Sequence, residues 1–230
     1  MHDAEVHKLA ELEDRHWWYR ERRHLLADAL DGITPGTALD VGAAGGGNTR
    51  VLRDLGWRAV ALEYGRPGAA VAAERGIPVV RGDAGRLPVA DAGLDLVVAF
   101  DVLEHLPDDH GAAAEVLRVL RPGGRFLVAV PADQRLWSAH DEAVGHVRRY
   151  DRDELVRVLE GAGFTVAAVR SWNVLLRPVV ALRRRSSTGS DLEELHPAVN
   201  AALRGVITAE RYLPVGRLPG VSLLVRARKP

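Results

Sequence analysis

Residues 39–49 read LDVGAAGGGNT. An apolar run breaks into six small residues, 42–47, and resumes with helical spacing. A strand, a glycine-rich turn and a helix in this order form the unit with which parallel α/β sheets bring main-chain amides up to a ligand. The neighbouring sequence repeats the alternation. TALDVG (37–42) and RAVALEY (58–64) are β-rich, and Val51, Leu52 and Leu55 between them share one helical face. GAAVAAERG (68–76) is helical, and PVVRGD (78–83) and LDLVVAFD (94–101) are strand-like. AAAEVLRVL (112–120) is an amphipathic helix stopped at RPGG, and RFLVAVP (125–131) follows as a strand. Strands this apolar are buried on both faces, which requires a parallel sheet covered by helices. The expected architecture is α/β and doubly wound.

The turn invites a nucleotide-like ligand without naming it. A dinucleotide fingerprint needs G-x-G-x-x-G and an acid about twenty residues on. Gly42, Ala44 and Gly47 meet the pattern in part, since Ala44 replaces the central glycine, while Glu63 closes the second strand. A carboxylate there accepts hydrogen bonds from both hydroxyls of a ribose, whichever nucleoside carries it. Taken alone, the turn implies an adenosine cofactor and leaves its identity open. The competing reading is a purely structural turn.

Composition removes several function classes. The 230 residues include 31 basic and 31 acidic side chains, so the formal net charge is zero. A nucleic-acid binder would carry a basic surplus. There is no cysteine, which rules out a disulfide framework, a thiol nucleophile and a Cys-ligated zinc site, and fits a reducing cytoplasm. The N-terminal stretch MHDAEVHKLAELEDRHWWYRERR is charged throughout and lacks the apolar core of a signal peptide. NVLLRPVVAL (173–182) is too short to span a bilayer and runs into Arg183, Arg184 and Arg185. It reads as a buried helix with a solvated basic end, with peripheral membrane contact as the alternative.

Beyond Pro131 the pattern changes. Residues 132–150, ADQRLWSAHDEAVGHVRRY, lack clean periodicity and are rich in His, Arg and Asp, as expected of a functional loop. DRDELVRVLEGAGF (151–164) is a helix with Asp151 as N-cap and Gly161 and Gly163 at its stop. TVAAVRSW (165–172) and SLLVRARK (222–229) are strands, with helices around 173–184 and 191–212 and a surface loop SSTGSD between them.

LDVGAAGGG, ALEYG, GDAGRLPVAD (82–91), FDVLEHLPDD (100–109) and RPGGRFLVAVP, in this order, resemble the class I S-adenosylmethionine-dependent methyltransferases. The resemblance covers residues 37–172 and implies a seven-stranded, mostly parallel sheet with the last strand antiparallel. It implies S-adenosylmethionine as cofactor and S-adenosylhomocysteine as product. The turn, with Gly42, Ala43, Ala44 and Gly46, would lie against the methionine part and ribose, with Asp40 just below. Glu63 would hold the ribose hydroxyls, Tyr64 would pack on the adenine, and Asp83 with the Ala84 backbone would read the adenine edge. Phe100 and Asp101 would sit at the carboxyl end of the central strand. HWWYRERRHLL (16–26) resembles the N-terminal helix of a subgroup acting on small molecules, with Trp18 or Tyr19 covering the cofactor. The expected organisation is one domain over 1–230. It comprises an N-terminal helical lid (1–36), a cofactor-binding core (37–172), a helical insertion on the substrate side (173–221) and the last strand (222–230).

Methyl transfer to a hydroxyl or acidic carbon benefits from a nearby base, and histidine is the usual choice. His105, in DVLEHL, follows the fourth strand, while His140 and His146 share the 132–150 segment with Asp141 as an orienting carboxylate. For each of these histidines a structural role competes with a catalytic one. The spacing H-D-E-x-x-x-H matches no zinc motif, so no metal is expected. Trp137, Trp172, Leu175, Leu176 and Pro178 are candidates for an apolar acceptor pocket, or for core. The expected function is methylation of a small molecule, most simply on oxygen, in secondary metabolism. The alternatives are an NAD-dependent oxidoreductase and a cofactor-binding module that transfers no methyl.

Overall fold

A computed structural model describes residues 11–184 and 195–230. The SSTGSD loop and the first residues of the helix expected around 191–212 lie largely outside them. In chain order the elements are α1 (Trp17–Ala29), β1 (Thr37–Val41), α2 (Gly47–Asp54), β2 (Arg58–Glu63), α3 (Arg66–Glu74), β3 (Val79–Arg81), β4 (Leu94–Phe100) and α4 (Asp109–Val119). Then come β5 (Leu120–Pro131), α5 (Ala139–Val144), α6 (Arg152–Gly161), β6 (Thr165–Trp172), α7 (Arg177–Arg184), α8 (Pro197–Glu210) and β7 (Ser222–Arg228). Short 3-10 turns stand at Leu103–His105 and Gln134–Leu136.

The seven strands form one sheet in the order β3-β2-β1-β4-β5-β7-β6. β1 is parallel to β2 and β4, β2 to β3, and β4 to β5, whereas β7 runs antiparallel to both β5 and β6. Alternation along each strand splits the core between the two faces. Leu39, Val41, Val97, Ala99, Phe126 and Val128 point to the side covered by α4 and α6. Ala38, Leu96, Val98, Phe100, Leu127 and Ala129 point to the side covered by α1 and α2. The strand order reverses between β1 and β4, so the crevice beyond their carboxyl ends is where such a sheet places its ligand. Gly42 and Asp101 are the first residues past those two ends.

Local signals account for most element ends. Asp151 caps α6 through a box in which Glu154 answers with its own carboxylate. Asp108 caps α4 by accepting from the Gly111 amide at 2.8 Å. Two stretches differ from the sequence expectation. β5 begins at Leu120 rather than 125, because the chain turns through Gly123 (φ 80°) and Leu120 already pairs with Leu94. Residues 132–150 are partly helical: α5 is closed by a capping box between Ser138 and Asp141 and ends at Gly145 in the left-handed region. Six residues are too few for a periodic pattern to show. Among the described residues no helix is long and apolar enough to cross a membrane.

Candidate active site

The wall of the crevice below β1 is made mostly of main chain. Gly42 takes φ 67°, and a Cβ there would stand 2.6 Å from Val102 Cγ2, so both its backbone and its space demand glycine. The amides of Gly42 and Ala43 donate to the Leu62 carbonyl at 2.9 and 3.1 Å. Ala44, in the left-handed region at φ 46°, donates its N–H to Glu63 Oε2 at 2.7 Å. The other Glu63 oxygen accepts from the Gly65 amide at 2.8 Å. One carboxylate thus clamps the turn after β1 to the turn after β2, and each oxygen keeps a second lone pair. Asp40 lies buried beneath the turn, its Oδ2 accepting from Thr49 Oγ1 at 2.6 Å. Its Oδ1 has no partner among the described residues, and burial pushes the carboxyl up to about 7.

The opposite wall is made of side chains. Asp101 leaves β4 at φ 56° with its amide on the Ala129 carbonyl at 2.8 Å. The 3-10 turn then presents His105, whose Nδ1 lies 3.1 Å from the Gly145 carbonyl oxygen. His146 places Nδ1 2.9 Å from Asp141 Oδ1. Carbonyl and carboxylate oxygens only accept, so both rings carry their proton on Nδ1 and a lone pair on Nε2 when neutral. Burial and the neighbouring His146 hold His105 below its usual range. The two rings meet edge-on at 4.8 Å, and His140 stands 6.2 Å from His146.

Asp141 is fully buried and also pairs with Arg149 at 3.3 Å and Arg184 at 3.2 Å. Burial alone would raise its carboxyl, but the His146 hydrogen bond and the two guanidinium charges outweigh it and hold it at about 2. Arg149 is itself buried and donates to the carbonyls of Ala132, Leu136 and Val221, which pins the 132–150 segment to the sheet end. Burial, reinforced by Arg184, brings its guanidinium down to about 10. Tyr150 is fully buried with its hydroxyl on Asp109 at 2.7 Å, so it packs rather than faces the site. Glu104 is buried too, and neither carboxylate oxygen has a hydrogen-bond partner among the described residues. Burial and the Asp101 charge raise it well above the usual carboxylate range.

α1 roofs the crevice. Trp17 packs on Leu176 and Ile207, and Trp18 lies against Trp172 with ring centres 4.4 Å apart. Arg22 reaches Asp101 at 2.7 Å and sits 5.5 Å from the centre of the Phe100 ring. Glu21 is held by Arg211 at 3.0 Å, which ties the roof to the helical insertion. Beneath α1 is a cavity of about 340 Å³.

The cavity brings together Trp18, Tyr19, Gly42, Ala43, Ala44, Phe100 and Asp101 with His105, His140 and His146. Asp141 stands behind His146 rather than on the wall. Asp40, Gly46 and Glu63 are not among the residues lining the cavity: Glu63 holds the Ala44 amide, Asp40 the Thr49 hydroxyl, and Gly46 at φ 80° opens α2. Asp83 and Ala84 lie past β3, off the cavity, where Asp83 Oδ1 accepts from the Gly85 amide at 2.8 Å. Tyr64 is also off the cavity and 73% exposed. Of the apolar candidates only Leu176 lines the cavity, joined by Val179, Val180, Leu195 and Leu203; Trp172 instead supports Trp18. Sequence reasoning missed Glu104, Arg22 and Asn173. Asn173 is buried at φ 59° on the cavity wall, and neither amide atom has a partner among the described residues. Glu104 and Arg22 sit inside motifs the sequence had flagged, but burial and a contact to a distant aspartate leave no local trace.

These residues fit a sulfonium nucleoside. The turn brings main chain of Gly42, Ala43 and Ala44 to the cavity, and each Glu63 oxygen keeps a lone pair for a diol. Over residues 39–128 the chain matches the family described as Methyltransferase domain. It is 32% identical over 161 residues to a Mycolicibacterium smegmatis protein named a probable S-adenosylmethionine-dependent methyltransferase, covering 67% of this chain and 62% of that one. It is 38% identical over 117 residues to the demethylmenaquinone methyltransferase of Mycolicibacterium paratuberculosis, covering 50% and 48%. In fold it is similar to a chain from the Haloferax volcanii complex of the Trm112 methyltransferase activator with a methyltransferase, at 24% identity and a TM-score of 0.68, covering 99% of this chain and 97% of that one. The chain spans less than two thirds of the length of these curated relatives, 62% and 48%. The sheet order is that of the Rossmann-like methyltransferase fold, and residues 39–128 within it match the methyltransferase domain family.

Proposed function

We propose that the whole chain is a methyltransferase that moves the methyl of S-adenosylmethionine to a hydroxyl of a small, largely apolar acceptor. One observation carries this reading: the glycine turn and the paired imidazoles of His105 and His146 face each other across one roofed cavity. The cofactor supplies a methyl already activated by sulfonium, so an O–CH3 bond forms as the S–CH3 bond breaks and its electron pair returns to sulfur. The protein therefore has to align the acceptor, exclude water and take up a proton. Glu63 and the turn fix the donor, α1 keeps water out, and Leu176, Val179 and Val180 offer the acceptor an apolar bed. The unpartnered amide of Asn173 orients a polar group on it. The acceptor proton goes to His146 Nε2, whose ring Asp141 holds in the required tautomer. Acceptor class, oxygen as the methylated atom and a place in secondary metabolism belong to this proposal, as does the single-domain organisation over 1–230.

Calorimetry with S-adenosylmethionine tests the donor half. Glu63→Ala removes the clamp and the ribose acceptor, at about 1–3 kcal/mol per lost bond, so the dissociation constant should rise at least about tenfold. Unchanged affinity removes Glu63 from the site. S-adenosylhomocysteine release over a panel of hydroxylated aromatics tests the acceptor half. His146→Ala should lower turnover by about 100-fold with donor affinity retained. Donor binding without turnover on any acceptor would favour a non-transferring module instead.

A further inference from the structure

The cavity wall contains a group of atoms that methyl transfer alone does not explain. Glu104 is buried with both oxygens unpartnered, an arrangement a folded chain rarely tolerates because an uncompensated carboxylate is costly to bury. Next to it stand the rings of His105 and His146, each with a lone pair on Nε2 because Nδ1 is committed to an acceptor. His146 Nε2 lies 3.8 Å from Glu104 Oε1, and donor atoms from all three residues lie within 4.8 Å of one another. Glu104 Oε1 and His146 Nε2 stand too far apart for a hydrogen bond to join them, and potential ligand atoms of three residues converge. Such a set calls for a cation.

We propose that Glu104, His105 and His146 bind one divalent transition-metal ion, of the zinc or manganese kind, on the wall of the acceptor cavity. Two imidazoles and one carboxylate suit these ions better than magnesium or calcium, which prefer oxygen alone. A tetrahedral ion sets its donors about 3.3 Å apart, so on binding the ligand atoms, now within 4.8 Å of one another, draw together by at most about 1.5 Å. The partners behind the rings are in place: Asp141 orients His146, and the Gly145 carbonyl orients His105. Nearby positive charge is already spent. Arg149 is committed to Asp141 and three carbonyls, and Arg22 to Asp101. Because His105 and His146 line the cavity, the open coordination positions face the acceptor. There the ion would bind the acceptor oxygen, which gives up its proton to bulk solvent as it binds, a role that rests on the methyl-transfer reading. In that state His146 Nε2 holds the ion rather than taking the proton itself.

The test starts from chelator-stripped protein titrated calorimetrically with zinc chloride and with manganese chloride. One equivalent per chain is expected with at least one of the two ions. Glu104→Gln and His105→Ala should each weaken binding by more than about 100-fold, beyond the loss typical of an outer partner. Cobalt(II) added in place of zinc should give a visible absorption band that both variants lose. If Glu104→Gln does not fold, the half-buried His105→Ala carries the test alone. No binding of either ion, or binding unchanged in the variants that fold, overturns the site. S-adenosylmethionine affinity, measured on the same stripped samples, should be retained. Its absence from wild-type protein that still binds metal would count against the methyl-transfer reading and leave the metal site standing.

Discussion

The two walls of the cavity are built by different means. The wall under β1 and β2 draws its geometry from residues close in sequence, 40–49 and 62–65, and holds it with main-chain hydrogen bonds clamped by one carboxylate. The wall past β4 gathers Asp101, Glu104, His105, Asp141, His146 and Arg149, which are separated by up to 48 positions, and holds them with buried charge. A backbone wall is rigid and tolerant of most side-chain changes. A charged wall is specific, and it fails as a unit.

Removing the hub of the charged wall breaks this contrast most severely. Asp141→Ala leaves Arg149, Arg184 and His146 facing one another without their shared acceptor and removes the Asp141 half of the box that caps α5. Deleting one partner of a buried pair costs about 3–5 kcal/mol, so the urea midpoint should fall by the corresponding amount. Amide exchange should accelerate over 132–150 before it does in β1 and β2. A loss below about 1 kcal/mol would mean that the arginines find water or carbonyls instead, and that the wall is held by packing.

The buried aspartate of the other wall is perturbed in the opposite direction. Burial of Asp40 outweighs its hydrogen bonds from Thr49 and the pull of the Arg22 charge, and lifts the carboxyl from 3.8 to about 7. The folded protein therefore keeps a proton that the unfolded chain releases. Between about pH 4 and 7 folding takes up that proton, so stability falls as pH rises, by at most about 1.4 kcal/mol per pH unit, and is level above 7. Asp40→Asn keeps an acceptor for Thr49 and removes the titration. Subtracting its pH–stability curve from the wild-type curve, both without cofactor, should leave this slope. A flat difference would show that water reaches the carboxylate.

The same contrast explains what could be read from sequence. The strands, the cap at Asp151 and the demanding glycine at 42 follow from local rules of periodicity, capping and backbone sterics, and are legible in the chain, whereas the reversal between β1 and β4 is a matter of topology. Asp141 and His146 were legible as neighbours in sequence. Their hydrogen bond depends on α5, whose cap begins at a serine that the absent periodicity concealed. Burial of Glu104 depends on segments about forty residues away packing over it, and the Val147 amide reaches its carbonyl at 2.8 Å from there. Tyr64 followed the opposite course: its place after β2 suggested a ligand-facing ring, yet nothing folds over it and it remains exposed.

The roof tests where one wall ends and the other begins. Arg22 on α1 grips Asp101, the first residue of the charged wall, and lies over Phe100, which belongs to the core beneath the turn. Its side chain is 12% exposed and that of Asp101 29%, so solvent screens part of the pair. Arg22→Met keeps much of the apolar stem and deletes the charge, with an expected cost of about 1 kcal/mol from the ion pair and the ring contact together. Amide exchange should quicken in α1 while β1 and β4 hold their protection, because Trp17 and Trp18 still fasten the helix to Leu176 and Trp172. Equal acceleration in β4 would mean that α1 is part of the sheet's own core. Access to the cavity would then require opening the sheet end itself, and the acceptor would enter from the side of α7.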